Sequence, residues 1–128
     1  MNDFRTPLKR AVGLGSAQDG TGHFLWQRIT AIAVALCGVY LIGLVFGLTG
    51  AEYPFARAIV ADPINAVVLI VFLIAAFWHA KLGIQVVIED YVHTPLLAGL
   101  AHIANIFVCA LAAIAGALAV VRIVLQGV

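Results

Sequence analysis

A histidine inside a long apolar stretch is the first residue of this chain whose chemistry calls for an explanation. His79 is followed by Gly83 one helical turn later and by Asp90 eleven residues on. At about 100° per residue, these three positions fall within about 40° of one another on one helix face. The glycine leaves a flat notch that suits a planar macrocycle, and neutral imidazole is a good ligand for haem iron. The spacing permits a haem site, and a hydrogen bond from His79 to a neighbouring helix is the alternative.

A cluster of polar side chains follows the same stretch, in the sequence Glu89-Asp90-Tyr91-Val92-His93. A phenol can donate a hydrogen bond to a quinone carbonyl, so Tyr91 is a candidate quinone ligand. Asp90 could hold this tyrosine in place or pass protons from the aqueous side. The alternative is an interfacial tyrosine of an aromatic belt beside a solvated acidic turn.

Three further polar side chains lie within apolar runs. Lys81 sits about 160° around the helix from His79, where its alkyl stem can extend toward lipid headgroups. His102 and Asn105 share one helix face at a spacing of three residues. Polar residues in that arrangement commonly join helices by hydrogen bonds, and His102 is also a candidate second haem ligand.

A basic and aromatic segment precedes the first long apolar run. Arg28 stands at the mouth of that run, and His23 and Trp26 lie just before it. Arg28 can bind lipid phosphate, which is common for basic residues at the cytoplasmic ends of helices. The alternative is an ion pair with an anionic cofactor group such as a haem propionate, which His23 could join.

The composition requires that these residues be positioned inside a membrane. The chain has 128 residues, of which 64% are hydrophobic and 10% charged, and its mean hydropathy is +1.12. A soluble domain is about a quarter charged, and one this short could not bury so much apolar surface. These values exclude an ordinary cytosolic enzyme and a disordered chain. The net charge of +1 offers no basic surface for nucleic acid.

Three apolar runs are long enough to cross a bilayer, which takes roughly 20 residues each. They cover about residues 29–48, 64–88 and 96–121, separated by short connectors containing Pro, Gly and acidic residues. We therefore predict an all-α membrane protein. Residues 1–28 form an N-terminal segment, and residues 29–128 form a three-helix, up-down-up transmembrane bundle.

The distribution of basic residues predicts the orientation of the bundle. Lys and Arg concentrate before the first span, at Arg5, Lys9, Arg10 and Arg28, whereas the connector after it has one Arg and the C-terminal tail one more. Because basic residues collect on the cytoplasmic side, the N-terminus is expected in the cytoplasm. Three crossings then place the connector after Glu89 on the cytoplasmic side.

The run from His79 to His93 resembles the second-helix signature of succinate dehydrogenase membrane anchor subunits. That signature is a histidine, a glycine four residues on, and an Asp-Tyr pair that begins eleven residues after the histidine, matched here by His79, Gly83, Asp90 and Tyr91. The segment before the first span is similar to the N-terminal part of the same family, in the sequences Gly15-Ser16-Ala17, Gly22-His23-Phe24 and Gln27-Arg28-Ile29-Thr30-Ala31. Length and number of spans also agree.

The resemblance implies a role for each of these residues. His79 would be an axial ligand of a b-type haem, with the second ligand supplied by a companion cytochrome subunit. Tyr91 would hydrogen-bond ubiquinone, and Asp90 would help to organise that site. Arg28 and His23 would lie near the haem propionates. Family members hold two haems, one or none, so a haem-free structural anchor stays open.

The resemblance also implies partners and a reaction. Succinate would be oxidised in a flavoprotein subunit outside the bilayer, and electrons would reach ubiquinone through an iron–sulfur subunit, so this chain performs no chemistry alone. The absence of an evident transit peptide favours the bacterial cytoplasmic (inner) membrane. A small transporter subunit is the alternative from another class of protein, although no span carries a buried carboxylate for a proton relay. A self-contained cytochrome with two haems would need more intramembrane histidines.

Overall fold

A computed structural model describes residues 20–126, and these residues form four helices. They are α1 (Gly20–Gly47), α2 (Tyr53–Ala61), α3 (Pro63–Tyr91) and α4 (Pro95–Gln126). Three of them, spanning Thr21–Gly47, Pro63–Tyr91 and Pro95–Gln126, are long and apolar enough to cross a membrane. The prediction of an all-α protein with three transmembrane helices is confirmed.

Local sequence explains where the long helices begin and end. A continuous apolar run must satisfy its backbone hydrogen-bonding groups internally, and a helix does so. The Asp62 side chain caps the start of α3, because its carboxylate accepts hydrogen bonds from the backbone N–H groups of Ile64 (3.0 Å) and Asn65 (3.3 Å). Pro63 and Pro95 stand at the first positions of α3 and α4, where a missing N–H costs nothing.

Helix α3 is the centre of the molecule, because α1 and α4 both pack extensively against it. On the α1 side, Gly38 lies beside the Phe72 ring, and on the α4 side Gly116 lies beside Leu73. Tyr40 of α1 also donates a hydrogen bond of 2.6 Å to Asn65 Oδ1 of α3. Small residues opposite large ones thus let both neighbours approach α3 closely.

Few side chains are buried within this single chain. The buried side chains of the described residues lie mostly along α3 and on the facing sides of its neighbours: Ala66, Ala75, Leu82, Ile88, Cys109, Val120, Thr30 and Asn105. Large apolar side chains such as Leu36, Phe46 and Leu118 are exposed on the outer faces. Since the helices are long enough to span a bilayer, these outer faces suit lipid and other transmembrane helices.

The helices extend beyond the predicted apolar spans. Helix α1 begins at Gly20 rather than at residue 29, α3 ends at Tyr91 rather than 88, and α4 ends at Gln126 rather than 121. The prediction counted apolar residues, but helical hydrogen bonding continues through polar residues at helix ends. The segment that includes His23 and Arg28 is consequently helical. Residues 1–19 of the predicted N-terminal segment lie outside the described residues.

The connector between the first two spans also differs from the prediction. It contains α2, a short helix over Tyr53–Ala61 with Pro54 in its first turn. Gly50, with a positive φ of 80°, supplies the left-handed backbone that lets the chain leave α1. Arg57 of α2 reaches Gln126 at the end of α4, with 3.5 Å between Nη2 and Oε1. Helix α2 therefore ties the end of α4 to the start of α3.

Candidate functional site

The side chain of His79 lies against α1, where it contacts one threonine. Thr30 Oγ1 is 3.1 Å from His79 Nδ1. The same hydroxyl is 2.8 Å from the backbone oxygen of Trp26 and 3.2 Å from that of Gln27. Thr30 is only 7% exposed. The contact uses Nδ1, so Nε2 on the far side of the imidazole ring is the nitrogen left to bind a ligand.

A pair of tryptophans closes the same interface one turn away. The rings of Trp26 and Trp78 have centroids 6.0 Å apart and planes inclined by 45°. Tilted aromatic pairs at this distance attract one another beyond their burial of apolar surface. The pair therefore helps to hold the α1 turn that carries Thr30 against the α3 turn that carries His79.

Gly83 lies on the same side of α3 and faces α1. A Cβ atom at this position would have Gln27 Nε2 as its nearest neighbour, at 3.9 Å, which is an ordinary van der Waals distance. Packing within the chain therefore does not require glycine here. The notch predicted beside His79 is bordered by the Gln27 amide, so a macrocycle placed there would also lie beside Gln27.

Two polar atoms on α1 are buried without a hydrogen-bond partner among the described residues. They are Nε2 of His23 and Oε1 of Gln27. His23, Gln27 and Thr30 follow one another at intervals of four and three residues, which places them along one face of α1. An unsatisfied buried polar group costs about 1–3 kcal/mol. This face of α1 is therefore suited to a polar ligand group.

Arg28, the other residue predicted at the haem propionates, has a different environment. Its guanidinium carbon lies 5.0 Å from the centroid of the Phe24 ring, and its side chain is exposed. Five residues of helix separate it from His23 by about 140° around α1. The structure does not place Arg28 and His23 on one helix face.

Asp90 and Tyr91 form the C-terminal end of α3. Both side chains are exposed, Tyr91 to 78%, and among the described residues neither side chain has a hydrogen-bond partner. Twelve residues of helix separate Tyr91 from His79, or about 18 Å along the axis at 1.5 Å per residue. The two predicted sites are thus at different depths on a single helix, and the tyrosine hydroxyl is open to a partner or a ligand.

Lys81 belongs to a row of polar side chains that runs toward the Tyr91 end of α3. Its Nζ donates to Gln85 Oε1 at 3.1 Å, and Gln85 Nε2 donates to Glu89 Oε1 at 2.9 Å. This is the direction expected of a snorkelling lysine. Lys81 also borders an open, mainly apolar groove of about 290 Å³ between α3 and α4, and His79 is not among the residues that line this groove.

Asn105 joins α4 to α3, as its position predicted. Its Nδ2 donates a hydrogen bond of 2.9 Å to the backbone oxygen of Lys81, and its Oδ1 lies 3.4 Å from Cys109 Sγ. His102 is half-buried and His93 is exposed. Across residues 20–126, no three His, Cys, Asp or Glu side chains are grouped so that they could hold a metal ion by themselves.

Two residues of this site, Thr30 and Gln27, were not among the site residues predicted from the sequence. Both are uncharged polar residues in the N-terminal half of α1, and neither residue type by itself indicates cofactor chemistry. The available signal was the spacing of His23, Gln27 and Thr30 along one face of a helix. That spacing has meaning only once the segment from Gly20 is known to be helical and to pack against α3.

Comparison with known proteins agrees with this architecture. The chain is 39% identical over 90 residues to the succinate dehydrogenase hydrophobic membrane anchor subunit of Rickettsia bellii, which covers 70% of this chain and 72% of that protein. It is 39% identical over 93 residues to the protein of that name from Rickettsia conorii, with the same coverage. The corresponding protein of Paracoccus denitrificans is 30% identical over 86 residues, 67% of each chain.

No solved structure matches the chain. The family model of the succinate dehydrogenase/fumarate reductase transmembrane subunit matches residues 2–118. That match includes α1, α2, α3 and most of α4, together with every candidate residue discussed above. The three membrane-spanning helices, the helical signature on α3 and this match together show that the chain belongs to the succinate dehydrogenase/fumarate reductase transmembrane subunit family, as a multi-pass membrane anchor.

Proposed function

We propose that this subunit anchors a succinate dehydrogenase, co-ligates a b-type haem through His79 and forms part of a ubiquinone-reduction site with Tyr91 and Asp90. The anchoring role follows from family membership. The haem assignment is carried by one observation: His79 Nδ1 is hydrogen-bonded within the chain to Thr30, which leaves Nε2 for iron. Imidazole held in this way by a second residue is the usual arrangement of a metal-ligating histidine.

The residues around His79 fit a haem shared between two subunits. This chain would supply one imidazole, that of His79 at the interface of α1 and α3, and the companion cytochrome subunit would supply the second ligand. A b-type haem, when bound, supplies one-electron redox chemistry inside the membrane. His23, with its buried unpartnered Nε2, is suited to a propionate. Arg28 is an exposed cation on a different face of α1 from His23, so lipid phosphate suits it as well as a propionate does.

Tyr91 and Asp90 fit the proposed quinone site because both are exposed at one end of α3. The tyrosine hydroxyl donates a hydrogen bond to a quinone carbonyl and so fixes the ring. The Asp90 carboxylate stands next to that site, where it can organise the tyrosine and pass protons from the aqueous side to the quinone as the quinone is reduced. Electrons come from succinate through the flavoprotein and iron–sulfur subunits, and the iron–sulfur subunit covers this end of α3.

The proposal also includes the membrane in which this chain lies and the orientation of the chain in that membrane. The relatives are bacterial proteins, and we place this chain in the bacterial cytoplasmic membrane with its N-terminus in the cytoplasm. The concentration of Lys and Arg before the first span supports this orientation. The end of α3 that carries Tyr91 then faces the cytoplasm, where the extrinsic subunits dock and where protons are taken up.

Purification of the complex through a tag on this chain tests the proposal. The co-purifying subunits are identified, and a reduced-minus-oxidised visible spectrum is recorded. Flavoprotein and iron–sulfur partners with a b-type haem band are expected. The same partners without haem would leave a structural anchor and remove His79 from the site. A colourless protein without partners would favour the transporter alternative.

A further inference from the structure

We propose that Thr30 is a positioning residue for the haem: its hydroxyl fixes the tautomer and the ring orientation of His79, so that Nε2 presents a lone pair to the iron. This inference rests on the proposed haem ligation. It concerns a residue on α1 that is 49 positions away from His79 in the sequence.

The direction of each hydrogen bond follows from a count of hydrogens. The Thr30 hydroxyl carries one hydrogen, and the backbone oxygens of Trp26 and Gln27 can only accept. The contact with the Trp26 oxygen is the shortest of the three, at 2.8 Å, and a threonine in a helix commonly donates to the carbonyl four residues earlier. The hydroxyl therefore donates to the backbone and offers a lone pair to His79.

His79 must then donate from Nδ1 to Thr30 Oγ1. If Nδ1 carried no hydrogen, two lone pairs would face each other at 3.1 Å, or Thr30 would have to give up its bond to Trp26. A neutral imidazole has a single N–H, so placing it on Nδ1 leaves Nε2 unprotonated. Unprotonated Nε2 is the form that binds a metal.

The surroundings hold Thr30 in this role. Its β-branched side chain has few rotamers in a helix, and it is buried between α1 and α3. Within residues 20–126, Thr30 is the hydrogen-bond partner of the His79 ring. The neighbouring Gln27 amide lies toward Gly83. Loss of the hydroxyl consequently leaves Nδ1 unpaired and the ring free to rotate.

Two substitutions in the assembled complex separate the hydroxyl from the shape of the side chain. Thr30→Val keeps the β-branched shape and removes the hydroxyl, whereas Thr30→Ser keeps the hydroxyl and removes the methyl group. The haem-to-flavin ratio, the reduced-minus-oxidised spectrum and the midpoint potential of the haem are measured for each. Thr30→Ala, which adds no volume, replaces Thr30→Val if the latter fails to assemble.

We expect Thr30→Val to weaken haem retention by about tenfold or more, as loss of an outer partner of a metal-ligating histidine usually does. The haem that remains has a higher midpoint potential, because an imidazole without an acceptor for its N–H is a poorer donor to ferric iron. Thr30→Ser, which keeps the hydroxyl, should have the haem content and the midpoint potential of the wild type. Wild-type haem content and potential in Thr30→Val would overturn the inference.

A separate variant distinguishes failure of this inference from failure of the haem assignment. If His79→Ala keeps the wild-type haem spectrum in an assembled complex, His79 is not a ligand and the proposal about Thr30 fails with it. If His79→Ala loses that spectrum while Thr30→Val does not change it, His79 remains a ligand and Thr30 alone is excluded.

Discussion

Thr30 Oγ1 lies 3.1 Å from His79 Nδ1 across the interface between α1 and α3. The type and position of His79 indicated a haem ligand from the sequence alone. Thr30, its partner, is a residue type that by itself indicates no redox chemistry. The contact also means that the orientation of the His79 ring depends on how α1 packs on α3. The turn of α1 from Trp26 to Thr30 is thereby part of the site.

Substitution of His79 by alanine should remove or shift the b-type haem band of the purified complex. Within residues 20–126, we assign the imidazole of His79 as the iron ligand at the α1–α3 interface, and an alanine methyl group cannot replace it. The visible spectrum is recorded together with the flavin content, which reports assembly.

His102→Ala provides the matched control for this substitution. His102 is a half-buried histidine on the next membrane-spanning helix, and we assign no haem ligand to it. Its removal should leave the haem band in place. Loss of the band in His102→Ala, with His79→Ala unaffected, would reverse the assignment of the two histidines.

Tyr91→Phe should lower quinone-linked turnover about tenfold, which corresponds to the loss of roughly 1.4 kcal/mol of hydrogen bonding at the quinone. Oxidation of succinate by an artificial dye, which bypasses the quinone, should not change. The side chain is 78% exposed, so its hydroxyl contributes little to the stability of the isolated chain. Both activities are assayed in the same membrane preparation.

Tyr53→Phe is the control for Tyr91, because Tyr53 is 79% exposed on α2, away from the end of α3. It should change neither activity. Unchanged quinone-linked turnover in Tyr91→Phe would contradict a role in quinone binding, whereas an equal loss of both activities would indicate failed assembly.

The sequence was sufficient for the three spans and for Asn105, but not for the α1 side of the site. Apolar runs encode membrane-spanning helices directly, since a buried backbone in lipid must be helical or closed into a barrel. An asparagine inside such a run needs a hydrogen-bond partner, and Asn105 finds one on α3. Thr30 and Gln27 belong to the site because of how α1 is rotated and shifted against α3. The hydrophobic pattern of the sequence does not determine that packing.

Asn105→Ala should destabilise the packing of α4 on α3 by about 1 kcal/mol, within the range measured for interhelical hydrogen bonds in membranes. Asn105 is only 7% exposed, and its loss would leave the Lys81 carbonyl with one partner fewer. Loss of helical structure is followed by circular dichroism as detergent-solubilised complex is titrated with sodium dodecyl sulfate. Ala104→Ser, at an exposed position on the same helix, serves as the control. Equal midpoints for Asn105→Ala and wild type would show that the bond contributes nothing to stability.

Gly83→Ala and Gly116→Ala should differ in their effects on stability and on the haem band, although each adds one methyl group to a membrane-spanning helix. At Gly83 the new Cβ meets only Gln27 Nε2, at 3.9 Å, and alanine favours a helix over glycine by about 1 kcal/mol. The stability of the protein should therefore hold or rise, while the haem band shifts if the notch beside His79 receives the macrocycle.

At Gly116 the Cβ would stand 3.0 Å from Leu73 Cδ1 and 3.3 Å from Cδ2. The Leu73 side chain must move by a few tenths of an ångström to admit it, which offsets part of the gain in helix propensity. The unfolding midpoint in the same detergent titration should therefore rise less than in Gly83→Ala, with the haem band unchanged in the complex that remains folded. A normal haem band in Gly83→Ala would show that the glycine is not needed for the macrocycle, and it would leave His79 as the only feature of α3 assigned to the haem.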